Sequence, residues 1–172
     1  AVSGQTVARY LDLMADLMLV RRLRPWAANE GKRLVRAPKV YVRDSGLVHA
    51  LLGLTHFDDV IAHPVAGGSW EGWVIDNLLA TAPLGTQAYF YRSSAGAEID
   101  LVLELPKRQR WAIEIKRSSA PSVSKGFHIA AADLNASSKF VVHAGAESFP
   151  LAAGVQAVTL TDLQRRLTDP RR

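Results

Sequence analysis

Cysteine is absent from the 172 residues, which removes disulfides, thiolate nucleophiles, zinc ribbons and iron–sulfur clusters from consideration. No stretch approaches the ~18 consecutive apolar residues of a membrane-spanning helix, so no membrane partner is expected. The first residues also lack the charged, apolar and small-residue succession of a signal peptide. A cytoplasmic protein is the expectation. No G-x-x-x-x-G-K-[ST] occurs, so this chain carries no P-loop site for ATP. Internal repeats and low-complexity tracts are missing. His49, His56 and His63 recur every seven residues, but Pro64 and the connector composition argue against one continuous helix that would gather them as metal ligands.

What remains is ordinary globular usage, with 48% hydrophobic and 22% charged residues, enough for one domain with a core or one domain with a small appendage. Ala1 enters directly on a helix signal, and the chain is expected to be a fragment of a longer protein. The positive charge is unevenly placed. Residues 1–44 hold nine Lys/Arg against four acids, the whole net excess of +5, while residues 45–172 carry twelve of each sign. Such asymmetry points to a nucleic-acid or acidic-partner surface, with Arg21, Arg22, Arg24, Lys32, Arg33, Arg36 and Lys39 as the residues to contact backbone phosphates. The plainer reading is a solvated face that uses arginine.

The pattern of "TVARYLDLMADLMLVRRL" predicts an amphipathic helix through Val7, Tyr10, Leu11, Met14, Leu17 and Met18, capped by Thr6. Pro25 ends it. "NEGKRLVRAPKVYVRD" predicts a turn at Asn29–Gly31 and then extended chain, a basic hairpin. One helix plus a hairpin fits the end of a winged-helix unit or a packing adaptor equally. Residues 1–44 are therefore assigned to a basic winged-helix-like segment and 45–172 to the main domain. There, a short helix opens at Ser45 and residues 55–68 form a connector. A second helix spans 69–82 with Ser69 as cap, and Trp70 and Trp73 pack it. Strands follow at "QAYFYRS", "EIDLVLEL" and "RWAIEIKRS", then a helix near "SVSKGFHIAAADL". Two more strands and a last helix capped by Thr161 complete the order. Short links make the first three strands an antiparallel meander, and the intervening helix permits a parallel crossover. The fold class expected is α/β (α+β), a mixed β-sheet flanked by helices.

Ionisable groups interrupt the most strand-like segment. Alternation places Ile99, Leu101 and Leu103 on one face of their strand, with Glu98, Asp100, Val102 and Glu104 on the other. In the next strand Glu114 and Lys116 share the face of Ala112, their stems about 7 Å apart. Pairing through the turn at 106–110 would bring Asp100 and Glu114 onto one sheet face with Lys116 beside them. Adjacent carboxylates raise each other's pKa unless a cation intervenes, and oxygen-rich pairs suit Mg²⁺ or Mn²⁺. An ion there could activate water and polarise a phosphodiester, and the lysine could orient the nucleophile or hold developing charge. Glu71 continues the line Ile75, Leu78, Ala82 on its helix and is aimed at the sheet, where a carboxylate needs a cation or donors. The alternative for Asp100, Glu114 and Lys116 is a cross-strand salt bridge on a half-exposed face. For Glu71 it is an acid favoured by the helix dipole.

These residues resemble the PD-(D/E)XK, or restriction-endonuclease-like, superfamily: an acid on a leading helix, a strand aspartate, and E-x-K in the next strand. The blocks "KRLVRAPKVYVRDSGLVHALLG", "SWEGWVIDNLL", "YFYRSSAGAEIDLVLEL" and "AIEIKRS" are similar to the C-terminal nuclease-like domain of prokaryotic AAA-type ATP-binding proteins. That resemblance implies a restriction-endonuclease-like fold with a winged-helix-like remnant, joined in the full-length protein to an ATPase domain. It implies Mg- or Mn-dependent phosphodiester hydrolysis of DNA. Asp100, Glu114 and the Ile115 backbone carbonyl would act as metal ligands, Glu71 as the helix acid that holds the metal or its water, and Lys116 beside the attacking water. Ile99 stands where the superfamily name has proline, and no Q-x-x-x-Y follows E-x-K. Nuclease folds also serve binding, so the alternative is a non-catalytic module for DNA or protein binding, or for homo-oligomerisation of the ATPase.

Overall fold

The computed structural model describes residues 2–26 and 37–168. Helix α1 (Gly4–Asp16) is capped by Ser3, whose hydroxyl accepts the Thr6 N–H. The expected cap, Thr6, is already inside the first turn, because a cap hydroxyl serves an amide two or three positions further on. The amphipathic stripe of α1 meets no core: none of its residues is buried, and Tyr10 is 62% exposed. A basic hairpin is present, but its first strand is β1 (Val20–Pro25), in the stretch expected to continue the helix as far as Pro25, and only β2 (Lys39–Val42) lies in the extended chain predicted; the two pair antiparallel from Val20↔Val42 to Leu23↔Lys39. The turn expected at Asn29–Gly31 lies outside the described residues.

Helix α2 (Ser45–Leu51) opens on Asp44 rather than Ser45, because the Asp44 carboxylate accepts the Leu47 N–H at 3.0 Å. The expected connector is largely helical: α3 (Phe57–Ala62) is followed by α4 (Val65–Thr81). Helix α4 starts four residues before the predicted Ser69. Pro64 sits at its cap position with a helix-compatible φ of −55°, and Gly67 and Gly68, weak helix formers alone, are carried by the helix that surrounds them. Ser69 is thus internal, with its Oγ 2.9 Å from His49 Nε2.

Strands β3 (Gln87–Arg92), β4 (Glu98–Leu105) and β5 (Gln109–Lys116) form the antiparallel meander. Helix α5 (Lys125–Asp133) makes the crossover to β6 (Ser138–His143), parallel to β5. Strands β7 (Phe149–Pro150) and β8 (Val155–Val158) and helix α6 (Leu160–Thr168) follow. Thr159, not Thr161, serves the start of α6, accepting the Asp162 N–H at 3.1 Å. The sheet has eight strands in the order β2-β1-β3-β4-β5-β6-β8-β7. The hairpin belongs to it, because β1 pairs parallel with β3 at Arg24↔Tyr89 and Pro25↔Phe90. Among the described residues no helix is long and apolar enough to cross a membrane.

Each sheet face carries its own core. Val74, Ile75 and Leu78 of α4, with Leu163 and Leu167 of α6, pack on Leu101, Leu103, Ile113 and Ile115. On the other face Phe127, Ala130 and Leu134 pack on Ala97, Ile99, Val102 and Ala112. Full burial of each large aliphatic contributes about 1.5–3 kcal/mol. The division corrects the strict alternation expected for β4. The β3–β4 register shifts between Tyr89↔Val102 and Tyr91↔Ile99, so Phe90 stands against both Asp100 and Leu101, a β-bulge. Past it the phase changes: Ile99 turns to the α5 side with Val102, while Leu101 and Leu103 stay on the α4 side.

Candidate functional site

The bulge determines where Asp100 goes. The ladder to β5 runs from Leu105↔Gln109 only as far as Leu101↔Ile113. Beyond that point the Asp100 carboxylate enters the seam, and its Oδ2 accepts the Ile115 N–H at 3.0 Å. A side chain thereby replaces a missing rung. The Ile115 group that meets Asp100 is therefore its amide rather than the carbonyl expected as a ligand. Glu114 follows Ala112 in the alternation of β5 and so stands toward the α5 side. The two acids reach the seam from different sides, which corrects the expectation that they share one regular sheet face.

Helix α4 supplies Glu71 one turn before Ile75, and both Ile75 and Leu78 are fully buried, so Glu71 is on the inward line read from the sequence. Its Oε1 accepts the Lys39 Nζ at 2.9 Å and the Tyr41 hydroxyl. Lys39 and Tyr41 alternate on β2 and so present the same face to α4. Gly72 makes room for them: a Cβ there would stand 3.1 Å from Tyr41 Cβ. The Lys39 ammonium also lies 3.1 Å from Glu98 Oε1 and 3.4 Å from Asp100 Oδ1. Its side chain is only 20% exposed, and it sits 5.6 Å from the centre of the Phe90 ring. Glu98 is held in addition by Arg92 at 2.9 Å. Lys116 Nζ lies 2.6 Å from Glu114 Oε1.

Electrostatics join these pairs into one cluster. Burial raises the pKa of Asp100, and the Glu71 charge raises it further, against Lys39, the Ile115 N–H and Lys116. Burial, then the Asp100 charge, pushes Glu114 up to about 7 despite Lys116. Burial opposes the charge on Lys39, but Asp100, Glu71 and Glu98 outweigh it and the pKa rises. Lys116 is raised in the same way, with burial offset by Glu114, Asp100 and Glu71. Burial and the bond to Glu71 also raise Tyr41. Asp100 thus feels the charges of Glu71 and Lys116, and Glu114 those of Asp100, Lys116 and Glu98. Lys39, Tyr41 and Glu98 join them unannounced by the E-x-K pattern. The signal that could have found them is K-x-Y on β2, two polar groups alternating onto one buried face.

The donor chemistry fits a hard divalent cation, since four carboxyl groups gather here against two lysines and Arg92. Their placement does not yet form a cradle: among the described residues no three His, Asp or Glu side chains are arranged to hold a metal ion. The oxygens of Glu71, Glu98 and Asp100 point instead at an ammonium.

The basic residues expected to meet phosphates are largely engaged. Arg21 pairs with Asp76 of α4, which also takes Arg43 at 3.2 Å, and Arg22 pairs with Asp12 of α1. Lys39 lies in the acid cluster. Arg24 is exposed, and Lys32, Arg33 and Arg36 lie outside the described residues. The histidines stay apart, with His49 on Ser69 and His63 Nδ1 accepting the Val65 N–H at 3.1 Å. Trp70 and Trp73 stack on each other at 5.3 Å.

The model of "Domain of unknown function (DUF4143)" matches residues 66–163, the span that holds Glu71, Asp100, Glu114 and Lys116. A second model, "Domain of unknown function (DUF8612)", matches residues 1–58, including Lys39 and Tyr41. Uncharacterised proteins of Mycobacterium bovis and Mycobacterium tuberculosis are each 44% identical over 163 residues, covering 91% of this chain and 35% of the relative. The chain therefore spans about a third of the length of the curated relatives it matches. No solved structure matches.

Proposed function

This chain belongs to the DUF4143 family, and we propose that it is a restriction-endonuclease-like domain that hydrolyses DNA phosphodiesters, working in its full-length protein beside an AAA-type ATPase. One observation carries the reading: Asp100 enters the seam between β4 and β5 on the Ile115 N–H, linked through Lys39 to Glu71 of α4, and raises the pKa of Glu114, the partner of Lys116 in E-x-K. The element order α4, β3, β4, β5, α5, β6 agrees with the αβββαβ core that the resemblance implies. Asp100 and Glu114, with the Ile115 carbonyl, would hold Mg²⁺ or Mn²⁺, which when bound supplies Lewis-acid polarisation of the phosphodiester. Lys116, half-exposed beside Glu114, orients the attacking water. Glu71 would hold the metal or its water from α4, and exposed Arg24 meets backbone phosphate. The test is cleavage of supercoiled, nicked and branched DNA with Mg²⁺ or Mn²⁺ by the full-length protein, beside Asp100→Asn and Lys116→Met. Cleavage lost in both variants supports the reading; wild type without cleavage on any substrate refutes it.

A second reading has its own support. Lys39 already pairs with three of the four carboxyl groups, as an adaptor would arrange if its acids served only to brace β2, α4 and β4. The domain would then be a nuclease-fold module that binds DNA or protein, or that oligomerises the ATPase, without cutting.

A further inference from the structure

The Lys39 ammonium is the least expected group in the cluster. It stands 2.9 Å from Glu71, 3.1 Å from Glu98 and 3.4 Å from Asp100, oxygens contributed by a helix and a strand that are far apart in the chain. A solvated lysine would pair with one exposed acid. This one reaches inward past the Phe90 ring to a point where three carboxylates converge, and a buried charge is tolerated only when its partners compensate its lost hydration. Tyr41, two residues along β2, fixes the same Glu71 oxygen, and Gly72 leaves space for that approach. A Cβ at position 72 would crowd the Tyr41 side chain at 3.1 Å.

Resting on the metal-site reading above, the geometry points to Lys39 as a resident cation that occupies the acidic site and must leave before a divalent ion can enter. The ammonium and the metal want the same oxygens of Glu71 and Asp100, so they are mutually exclusive ligands of one set of donors. Occupation by Lys39 lowers apparent metal affinity by the fraction of time the site is free. The device also loosens the hold of β2 on the cluster, since the lysine cannot withdraw from α4 and β4 without releasing its three ion pairs with Glu71, Glu98 and Asp100. Its replacement by a neutral side chain of similar length leaves the carboxylates unneutralised and open.

The test is titration with Mn²⁺ alone, followed by calorimetry, on wild type, Lys39→Met and Asp100→Asn, with circular dichroism to verify the fold of each. Lys39→Met should bind Mn²⁺ at least about tenfold more tightly than wild type, and Asp100→Asn more weakly. Equal affinity in wild type and Lys39→Met, or weaker binding in the variant, overturns the competition while leaving the metal site standing. Binding by neither, with both folded, removes the metal site and the competition together. A measurement on wild type decides the matter if Lys39→Met does not fold. Acetylation of Lys39 by acetic anhydride, read by mass spectrometry, should be slow without Mg²⁺ and should accelerate in millimolar Mg²⁺. Labelling at Lys39 that Mg²⁺ leaves unchanged overturns the proposal.

Discussion

Glu114 gives the cluster a measurable pH signature. Its carboxyl is pushed from 4.5 to about 7, first by burial and then by the Asp100 charge, with the Lys116 contact only partly offsetting them. In the unfolded chain the same group ionises at its ordinary 4.5. Between these values the folded protein keeps a proton that the unfolded chain has released, so rising pH favours unfolding. The stability associated with the protonated group is fully present below pH 4.5 and is lost as pH climbs through about 7. Each pKa unit corresponds to about 1.36 kcal/mol, so the interval amounts to about 3 kcal/mol. The Glu114 side chain is 10% exposed, and solvent screening takes little from that figure. Glu114→Gln cannot ionise and should lack this slope. Urea melts in EDTA at half-unit steps from pH 4 to 8 should show wild type losing up to about 3 kcal/mol relative to the variant, with the two curves running parallel above pH 8. Curves parallel throughout, or a variant that weakens relative to wild type as pH rises, would refute the claim that burial and Asp100 disfavour the ionised form.

Three other outcomes follow from the same contacts. Asp76→Ala removes the carboxylate shared by Arg21 and Arg43 and leaves two half-buried guanidinium groups unpaired; a loss of about 2 kcal/mol is expected by urea denaturation. Gly72→Ala places a methyl 3.1 Å from the Tyr41 side chain, at a cost of about 1–2 kcal/mol in thermal or chemical unfolding. Because Arg21 and Arg22 are already paired, Arg24→Ala should reduce the salt slope of DNA binding by about 0.9, and Arg22→Ala should change it far less, measured by fluorescence anisotropy across a salt series.

The strands from β3 to β6 were legible because each β-run carries its own pattern and short links leave little choice of partner, whereas β1 was not, because Val20–Leu23 continues the apolar run of the preceding helix. Strand order from β3 to β6 and the crossover through α5 followed from that alone. Helix starts were less readable, since Ser3 and Thr6, Asp44 and Ser45, and Thr159 and Thr161 are rival caps within a few residues, and only the geometry of the preceding chain chooses between them. The start of α4 was hidden behind Pro64 and two glycines that resemble a loop. The bulge at Asp100 could not be read locally: it arises from how Tyr89–Arg92 pairs with β4, not from anything in "EIDLVLEL". Glu71 was legible through Ile75 and Leu78, which share its face. Lys39 was not, because its partners lie 32 and 61 residues away and its charge, counted within residues 1–44, belonged to a basic surface.

The place of Lys39 sharpens the choice between the two functional readings. Four carboxyl groups, Glu71, Glu98, Asp100 and Glu114, face three cationic side chains, Lys39, Lys116 and Arg92, so once Glu114 ionises above about pH 7 the fork between β4 and β5 keeps one net negative charge even with Lys39 inside it. A DNA phosphate approaching that fork meets its own sign, and two like charges 4 Å apart repel by about 4 kcal/mol at the effective dielectric of a protein surface. Removing Lys39 without replacement makes the repulsion worse. Hydrolysis therefore needs a cation of higher charge to arrive as the ammonium leaves, whereas a scaffold needs only that the ammonium stay. Lys39 pairs with three acids and so serves a scaffold, while phosphate approach needs further positive charge.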